Sequence, residues 1–415
     1  MDTLVSNNLP GTRDLLPEEI ALWQWVEECA RRIFEQYGFI EIRTPIIEPT
    51  ELFVRGIGSD TDIVGKEMYT FRDQSDRSVT LRPEATASVV RAFLQNAMYR
   101  SGGLTKLYYM GPMFRHEKKQ KGRWRQFYQI GAEALGSDHP AVDVEMALWL
   151  LESLGIKARL LLNSVGCAQC RPMYVERLRN ELQPYLPDLC DDCRRRASTN
   201  TLRIFDCKKE ACQSPIGRLP AITDHLCEDC FEHFEKVKTF LNEAGISYEI
   251  VPRLVRGLDY YVRTAFEIVS GGLGSQNALL GGGRYDGLSE DLGGPRVPAL
   301  GFALGLDRLV MLLPEAQSAQ RLWKPSLFLA YMGDAAFHKA LEIARYFRRR
   351  GHNCYLEFSQ GSLKSQMRLA NKLRAEHVLI LGETELAQGR YTIKKLEDSR
   401  QWEVTLSELT DYLET

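Results

Sequence analysis

Eight of the chain's ten cysteines fall as close pairs between residues 167 and 230: Cys167 with Cys170, "CDDC" at 190 to 193, "CKKEAC" at 207 to 212, and "CEDC" at 227 to 230. This block constrains the fold more than any other feature. From about 166 to 240 the sequence is cysteine-rich, charged and poor in strand formers, whereas strand-like sequence leads up to it and resumes at 248. One sheet-based core must therefore be interrupted by a small inserted domain. Disulfides rarely persist in a reducing compartment, so metal ligation is the first reading of so many paired thiols. Cys190, Cys193, Cys227 and Cys230, two CxxC pairs across a long spacer, have the knuckle spacing of a tetrahedral structural Zn2+ site. Cys207 and Cys212 can replace one pair, Cys167 and Cys170 offer a second site, and reduced thiols without metal are the plain alternative.

At 415 residues, 44% hydrophobic and 26% charged, the chain buries more than one core. A net charge of -2 supplies no overall basic field, so a nucleic-acid partner must be held by local patches. The sequence has no apolar run of about 18 residues, and "MDTLVSNNLPGTRDLLPEE" lacks the basic start and apolar stretch of a signal peptide. A cytoplasmic protein with no membrane partner is expected.

Residues 17 to 38 place Ile20, Trp23, Ala30, Ile33, Phe34 and Tyr37 at helical spacing, with Pro17 at the start and Gly38 at the stop. In the following "FIEIRTPIIEPTELF", Pro45 and Pro49 confine a strand to an edge or an interface. Residues 104 to 136 read strand, charged loop, strand, and 141 to 154 read as an apolar helix. Beyond a linker, residues 325 to 415 alternate strands and helices, which indicates a small mixed or parallel sheet.

Four stretches carry chemistry. The loop "FRHEKKQKGRWRQF" holds Arg115, Lys118, Lys119, Lys121, Arg123 and Arg125 around Glu117, enough cations for phosphates if it is more than a solvated hairpin tip. In "TLRPEATAS", Pro83 opens a helix whose first turn carries Glu84 and Thr86, suited either to capping or to an ammonium ligand. Gln129 and Glu133, four apart on a strand, leave the same face. "GGGRYDGL" at 281 to 288 and "GFALGLDRL" at 301 to 309 match neither a P-loop nor a dinucleotide fingerprint, and on glycine content alone they are turns.

Taken in order, these segments resemble the class II aminoacyl-tRNA synthetases and, within them, the histidyl-tRNA synthetase family, over nearly the whole chain. Pro45 fits the first class motif, "FRHEKKQKGRWRQF" the second and "GFALGLDRL" the third. "LVRGLDYYVRTAFEI" and "GGGRYDGL" look like the family's own histidine signatures. The resemblance implies a mixed α/β fold: an antiparallel catalytic sheet flanked by helices in residues 1–165 and 241–318, a cysteine-rich insertion at 166–240, and a C-terminal α/β anticodon-binding domain at 325–415. It also implies a homodimer built through the first motif.

By the same resemblance Arg256 would touch the histidine carboxylate and the α-phosphate of ATP, with Arg115 on the α-phosphate and Arg308 on the γ-phosphate. The plain alternative for Arg256 is an ion pair with Asp259. Glu84, Thr86 and Gln129 would hold the α-amino group of L-histidine, and Glu133 and Tyr261 would meet the imidazole nitrogens, with Tyr260 and Tyr285 lining the pocket. Mg2+ would bridge ATP oxygens, and Lys118, Lys119, Gln120 and Arg123 would reach the acceptor end of tRNA(His). Ala85 stands where many relatives carry glycine, and the paired cysteines of the insertion are not general in the family. The synthetase-like regulatory subunit of ATP phosphoribosyltransferase, a binding protein, is the nearest rival. It typically lacks the C-terminal domain and the arginines, all of which this chain retains.

Overall fold

The computed structural model describes residues 7–59, 61–117, 122–145, 151, 153–359 except 274–276 and 315–320, and 361–414. They form two compact units, one up to residue 320 and one from Arg321.

The first unit is built on an eight-stranded sheet in the order β1-β5-β6-β11-β10-β9-β7-β8. Its strands are β1 (Ile40–Glu41), β5 (Thr105–Phe114), β6 (Gln126–Leu135), β7 (Arg159–Ser164), β8 (Tyr248–Ile250), β9 (Val262–Val269), β10 (Ala278–Arg284) and β11 (Ala299–Gly305). The five central pairings are antiparallel, and β1 and β8 add parallel edges. A second sheet of three strands, β2 (Ile47–Pro49), β3 (Tyr69–Arg72) and β4 (Ser78–Leu81), runs in the order β2-β4-β3. Both strands near Pro45, β1 and β2, are edges, as a proline-interrupted segment requires.

Alternation gives the large sheet two unlike faces. Ile130 and Ala132 of β6, Leu300, Phe302 and Leu304 of β11, Leu280 of β10 and Phe266 of β9 are buried together with Leu22, Trp23, Val26 and Ala30 of helix α1 (Pro17–Gln36). Each large side chain covered in this way contributes about 1.5–3 kcal/mol. The opposite face carries Gln129 and Glu133 beside Gly305 and Gly301, and Gly281 between Glu267 and Ala303. The glycines at 281 to 283 are therefore inside a central strand and not in a turn. Their value is the absent side chain, which leaves room above the sheet.

Between β7 and β8 there is no strand, and the described residues form helices α4 (Arg171–Leu182), α5 (Asp191–Thr199) and α6 (Glu210–Gly217) around a small core that includes Tyr174, Leu178 and Ile204, while α7 (Glu228–Glu243) buries Phe234, Val237 and Leu241 in the core of the large sheet. Earlier in the chain come α2 (Thr50–Ile57) and α3 (Thr86–Gln95). Helix α3 begins three residues after Pro83, because Glu84 lies before it and caps it with its side chain. The helix expected over 141 to 154 is described only in part: Pro140–Asp143 is a 3-10 turn, and residues 146–150 and 152 lie outside the described set.

The second unit has a five-stranded mixed sheet, β13-β12-β14-β15-β16, from β12 (Leu327–Tyr331), β13 (Cys354–Leu356), β14 (His377–Leu381), β15 (Tyr391–Lys395) and β16 (Gln401–Val404). The first three strands are parallel and the last two antiparallel. Helices Asp334–Arg348 and Leu363–Lys372 connect the parallel strands, as the alternation of apolar runs implies.

Candidate active site

The glycine-paved face of the sheet is the floor of a cleft of about 240 Å³ lined by Arg115, Glu117, Arg123, Gln129, Arg256, Glu267, Gly281, Asp307 and Arg308. The guanidinium of Arg256 lies flat on Gly281, where any Cβ would overlap it. Arg256 pairs with the Glu267 carboxylate of β9 and sits 5.7 Å from the Tyr261 ring. Asp259 is engaged elsewhere and accepts from Asn200 Nδ2 at 2.8 Å. Arg256 is thus not steadied by the aspartate three residues away; its partner is Glu267 on β9, the strand into which its own loop leads. Sequence reading passed over Glu267. An acid inside an apolar, β-branched run was its one signal.

Further along β6 from Gln129, which lines the cleft, lies a cluster of buried polar side chains. Glu133 is fully buried on Gly301, which also leaves no space for a Cβ. Its carboxyl meets the Thr86 hydroxyl at 2.6 Å on one oxygen and the Tyr285 hydroxyl on the other. Burial away from water pushes the Glu133 pKa up to about 8, more than these hydroxyls offset. Glu84 is also buried, and its carboxylate accepts from the backbone N–H groups of Thr86 at 2.6 Å and Ala87 at 3.0 Å. It does the capping that its position suggested, while burial raises its pKa as well. Tyr260 stands 4.6 Å from Tyr261 and 5.6 Å from Tyr285, ring centre to ring centre. Gln129 Oε1 and Arg256 Nε are buried with no hydrogen-bond partner, an arrangement that costs about 1–3 kcal/mol per group until a ligand answers it.

The cleft itself is cationic. Arg115 Nε donates to the Pro83 carbonyl at 2.8 Å, and its guanidinium lies 5.3 Å from the Phe127 ring. Arg123 pairs with Glu117 at 2.6 Å. Arg308 follows Asp307, which accepts from Tyr128 N at 2.9 Å and Arg13 at 3.2 Å and so fixes the start of the short helix Leu306–Val310. Burial, and Arg123 beside it, lower the pKa of Arg308. Lys118, Lys119 and Gln120 lie outside the described residues. Arg284, which follows the glycines, does not face the cleft. It is fully buried against Asp143 at 2.7 Å and also donates to the Ser137 and His139 carbonyls, a structural ion pair.

A family model described as histidyl-tRNA synthetase matches residues 11–170 and 208–309, and one described as an anticodon binding domain matches 326–415. The chain belongs to the histidyl-tRNA synthetase family. It is 52% identical over 409 residues to the histidine–tRNA ligase of Solibacter usitatus, covering 97% of this chain and 98% of that one. It is 48% identical over 406 residues to that of Trichlorobacter lovleyi, covering 97% and 96%. The apo crystal structure of S. aureus histidyl-tRNA synthetase superposes with a TM-score of 0.83 at 35% identity, covering 99% of this chain and all of that one. Family membership makes the chain an aminoacyl-tRNA synthetase, a ligase.

The cysteines of the insertion come together in the alternative grouping of their pairs and not in the first one. Cys190 and Cys193 meet Cys207 and Cys212, while Cys227 and Cys230 meet Cys167 and Cys170. The expected quartet of Cys190, Cys193, Cys227 and Cys230 is divided between two clusters, because the N-terminal ends of α4 and α7 meet and bring Cys167 and Cys170 to Cys227 and Cys230. Both clusters have the donor set of a metal site. All ten cysteines are free thiols.

Proposed function

We propose that this chain activates L-histidine with ATP to histidyl-adenylate and pyrophosphate, then transfers histidine to the 3' end of tRNA(His). The observation that carries the residue assignment is the guanidinium of Arg256, laid on Gly281 in the cationic cleft beside the buried polar cluster. In the first step a histidine carboxylate oxygen bonds to the α-phosphorus as the bond to pyrophosphate breaks. Arg256 would neutralise charge on both groups without reorganising, and a forked, permanently charged donor suits that task. Arg115 would assist at the α-phosphate, and Arg308 with Arg123 at the outer phosphates.

Recognition would lie in the buried polar cluster. Glu133 and Tyr261 would meet the two imidazole nitrogens, and Tyr260 and Tyr285 would close around the ring. An apolar side chain of similar size would leave these buried groups unpaired, which a site of this kind rejects strongly. Glu84 would use the carboxylate lone pairs not given to its helix, together with Thr86 and Gln129, to hold the α-amino group. Mg2+ would enter with ATP and offset phosphate charge, and Glu117 and Glu267 supply the carboxylate oxygens such an ion takes.

Residues 1–165 with 241–318 would form the catalytic core, 166–240 an insertion holding structural zinc, and 325–415 the anticodon-binding domain. Lys118, Lys119, Gln120 and Arg123 would approach the tRNA acceptor end. A homodimer through the segment around Pro45 is supported by exposed Ile40, Ile46, Ile47 and Phe71 on and beside its edge strands. Free thiols throughout and ATP as substrate fit work in the cytoplasm. No helix among the described residues is long and apolar enough to cross a membrane.

ATP–pyrophosphate exchange, run with each amino acid separately, tests the reading: exchange should require histidine. Exchange with a different amino acid, or none in folded protein, would sink it. Light scattering should give twice the 47.4 kDa chain mass, and a monomeric mass in an active preparation would remove the dimer.

A further inference from the structure

We propose that the insertion binds two zinc ions per chain, one at Cys167, Cys170, Cys227 and Cys230 and one at Cys190, Cys193, Cys207 and Cys212, and that together they clamp it onto the histidine-recognising segment 256–261. The clamp rests on the reading of that segment given above, whereas the metal sites stand on geometry alone.

In each cluster four Sγ atoms lie within 4.8 Å of one another. The neighbouring separations are 3.8 Å for Cys167 to Cys170, 3.7 Å for Cys167 to Cys227, 3.9 Å for Cys170 to Cys230, and 3.9 Å for Cys190 to Cys207. A tetrahedron with Zn–S bonds of about 2.3 Å has S···S edges of about 3.8 Å. Disulfides need about 2.05 Å, so these are not bonds that failed to close. Backbone N–H groups already point at sulfur: Cys167 N lies 3.2 Å from Cys170 Sγ, Gln169 N 3.4 Å from Cys167 Sγ, and Cys190 N 3.3 Å from Cys212 Sγ. Cys170, Cys190 and Cys227 each stand at the N-terminus of a helix, α4, α5 and α7, where the backbone favours thiolate. Four thiolates so close repel one another strongly unless a cation sits among them. A tetrahedral all-sulfur set selects zinc or iron, and sites as closed as these suit redox-inert zinc.

The two sites flank the residues through which the insertion touches segment 256–261. Arg171, next to Cys170, donates to the Val165 carbonyl at 3.1 Å, to the Gly166 carbonyl at 3.2 Å, and to the Tyr261 carbonyl. Between Cys193 and Cys207 lie further contacts. Arg196 pairs with Asp62 at 2.8 Å, Asn200 donates to Asp259 at 2.8 Å, and Arg203 donates to the Arg256 carbonyl at 2.8 Å. One ion would fix the base of the insertion beside Tyr261, and the other would fix the α5 segment over Arg256 and Asp259. Arg171, Asn200 and Arg203 are positioning residues for histidine.

Elemental analysis of full-length protein purified without chelator should find two zinc ions per chain. Cys170→Ser with Cys230→Ser, and separately Cys193→Ser with Cys212→Ser, should each leave one. Should these variants not fold, titrating the wild-type protein with a mercurial thiol reagent should still release two ions. One zinc, none, or iron in its place would overturn the metal assignment. For the clamp, Arg203→Ala with both zinc ions retained should raise the KM for histidine about tenfold in ATP–pyrophosphate exchange, and by more than it raises the KM for ATP. Arg203→Lys should recover part of the loss. An unchanged KM for histidine would overturn the clamp and leave the functional reading intact. A wild-type protein with two zinc ions but no histidine-dependent exchange would overturn the functional reading and the clamp, and leave the metal sites standing.

Discussion

The two faces of the eight-stranded sheet use the same strands for opposite ends. On one, Phe266, Phe302 and Leu304 bury against α1 and supply stability without chemistry. On the other, glycines at 281 and 301 give up packing so that Arg256 and Glu133 can lie on the backbone. An arginine and a glutamate held so close to a sheet are fixed in place, and catalysis needs that fixity more than it needs the charges as such. The contrast teaches that substitutions on one face should be felt in folding and those on the other in turnover.

The largest effect should come from the apolar face. Phe302→Ala should lower the unfolding free energy by about 3–5 kcal/mol, read as a shift in denaturation midpoint, while the activity of the remaining folded protein is unchanged. A fall in kcat per folded molecule would break the separation of the faces. Next, Arg256→His should slow histidine-dependent exchange by about 10²- to 10³-fold with little change in the denaturation midpoint. Near-normal exchange in the folded variant would be fatal to its catalytic assignment.

Gly301→Ala, which sets a methyl group against Glu133, should cost about 10²-fold in kcat/KM for histidine through misplacement alone. Equal losses for histidine and for ATP would instead mean general damage to the cleft. The smallest effect is a pH dependence. Because the folded-state pKa of Glu133 is raised to about 8, folded protein holds a proton that unfolded protein releases near the ordinary carboxylate value. That contribution is complete at acid pH below the unfolded value and is lost as pH rises through about 8. Between pH 6 and 7 the wild type should lose up to about 1.4 kcal/mol relative to Glu133→Gln, which cannot titrate. Parallel stability profiles for the two proteins over that interval would show that Glu133 is ionised throughout.

Much of the architecture was legible in the sequence because it is local. The spacing of Trp23, Ala30 and Phe34 makes α1, alternation makes β5 and β6, and proline places the segment around residues 45 to 49 at edges. The same alternation put Gln129 and Glu133 on one face before any neighbour was known. Their surroundings were less legible. Glu84 reads equally as a cap or a ligand, and only the distances from its carboxylate to Thr86 N and Ala87 N show that it already caps.

What the sequence by itself determined is the order of elements and motifs, the interruption of the core by a helical, thiol-rich block, and the chemical types available to the cleft. Each follows from short-range patterns that no distant contact alters. Tertiary structure alone decided that "GGGR" is a central strand, since glycine has no side chain to reveal a strand's period and its use is visible only once Arg256 lies on it. It alone decided that Arg256 answers Glu267 and not Asp259, because the loop that carries Arg256 had to fold back over β9 first. It alone joined Cys167 and Cys170 to Cys227 and Cys230 around the inner four. Equal CxxC spacings carry no record of which helix ends meet, and here those are the N-terminal ends of α4 and α7.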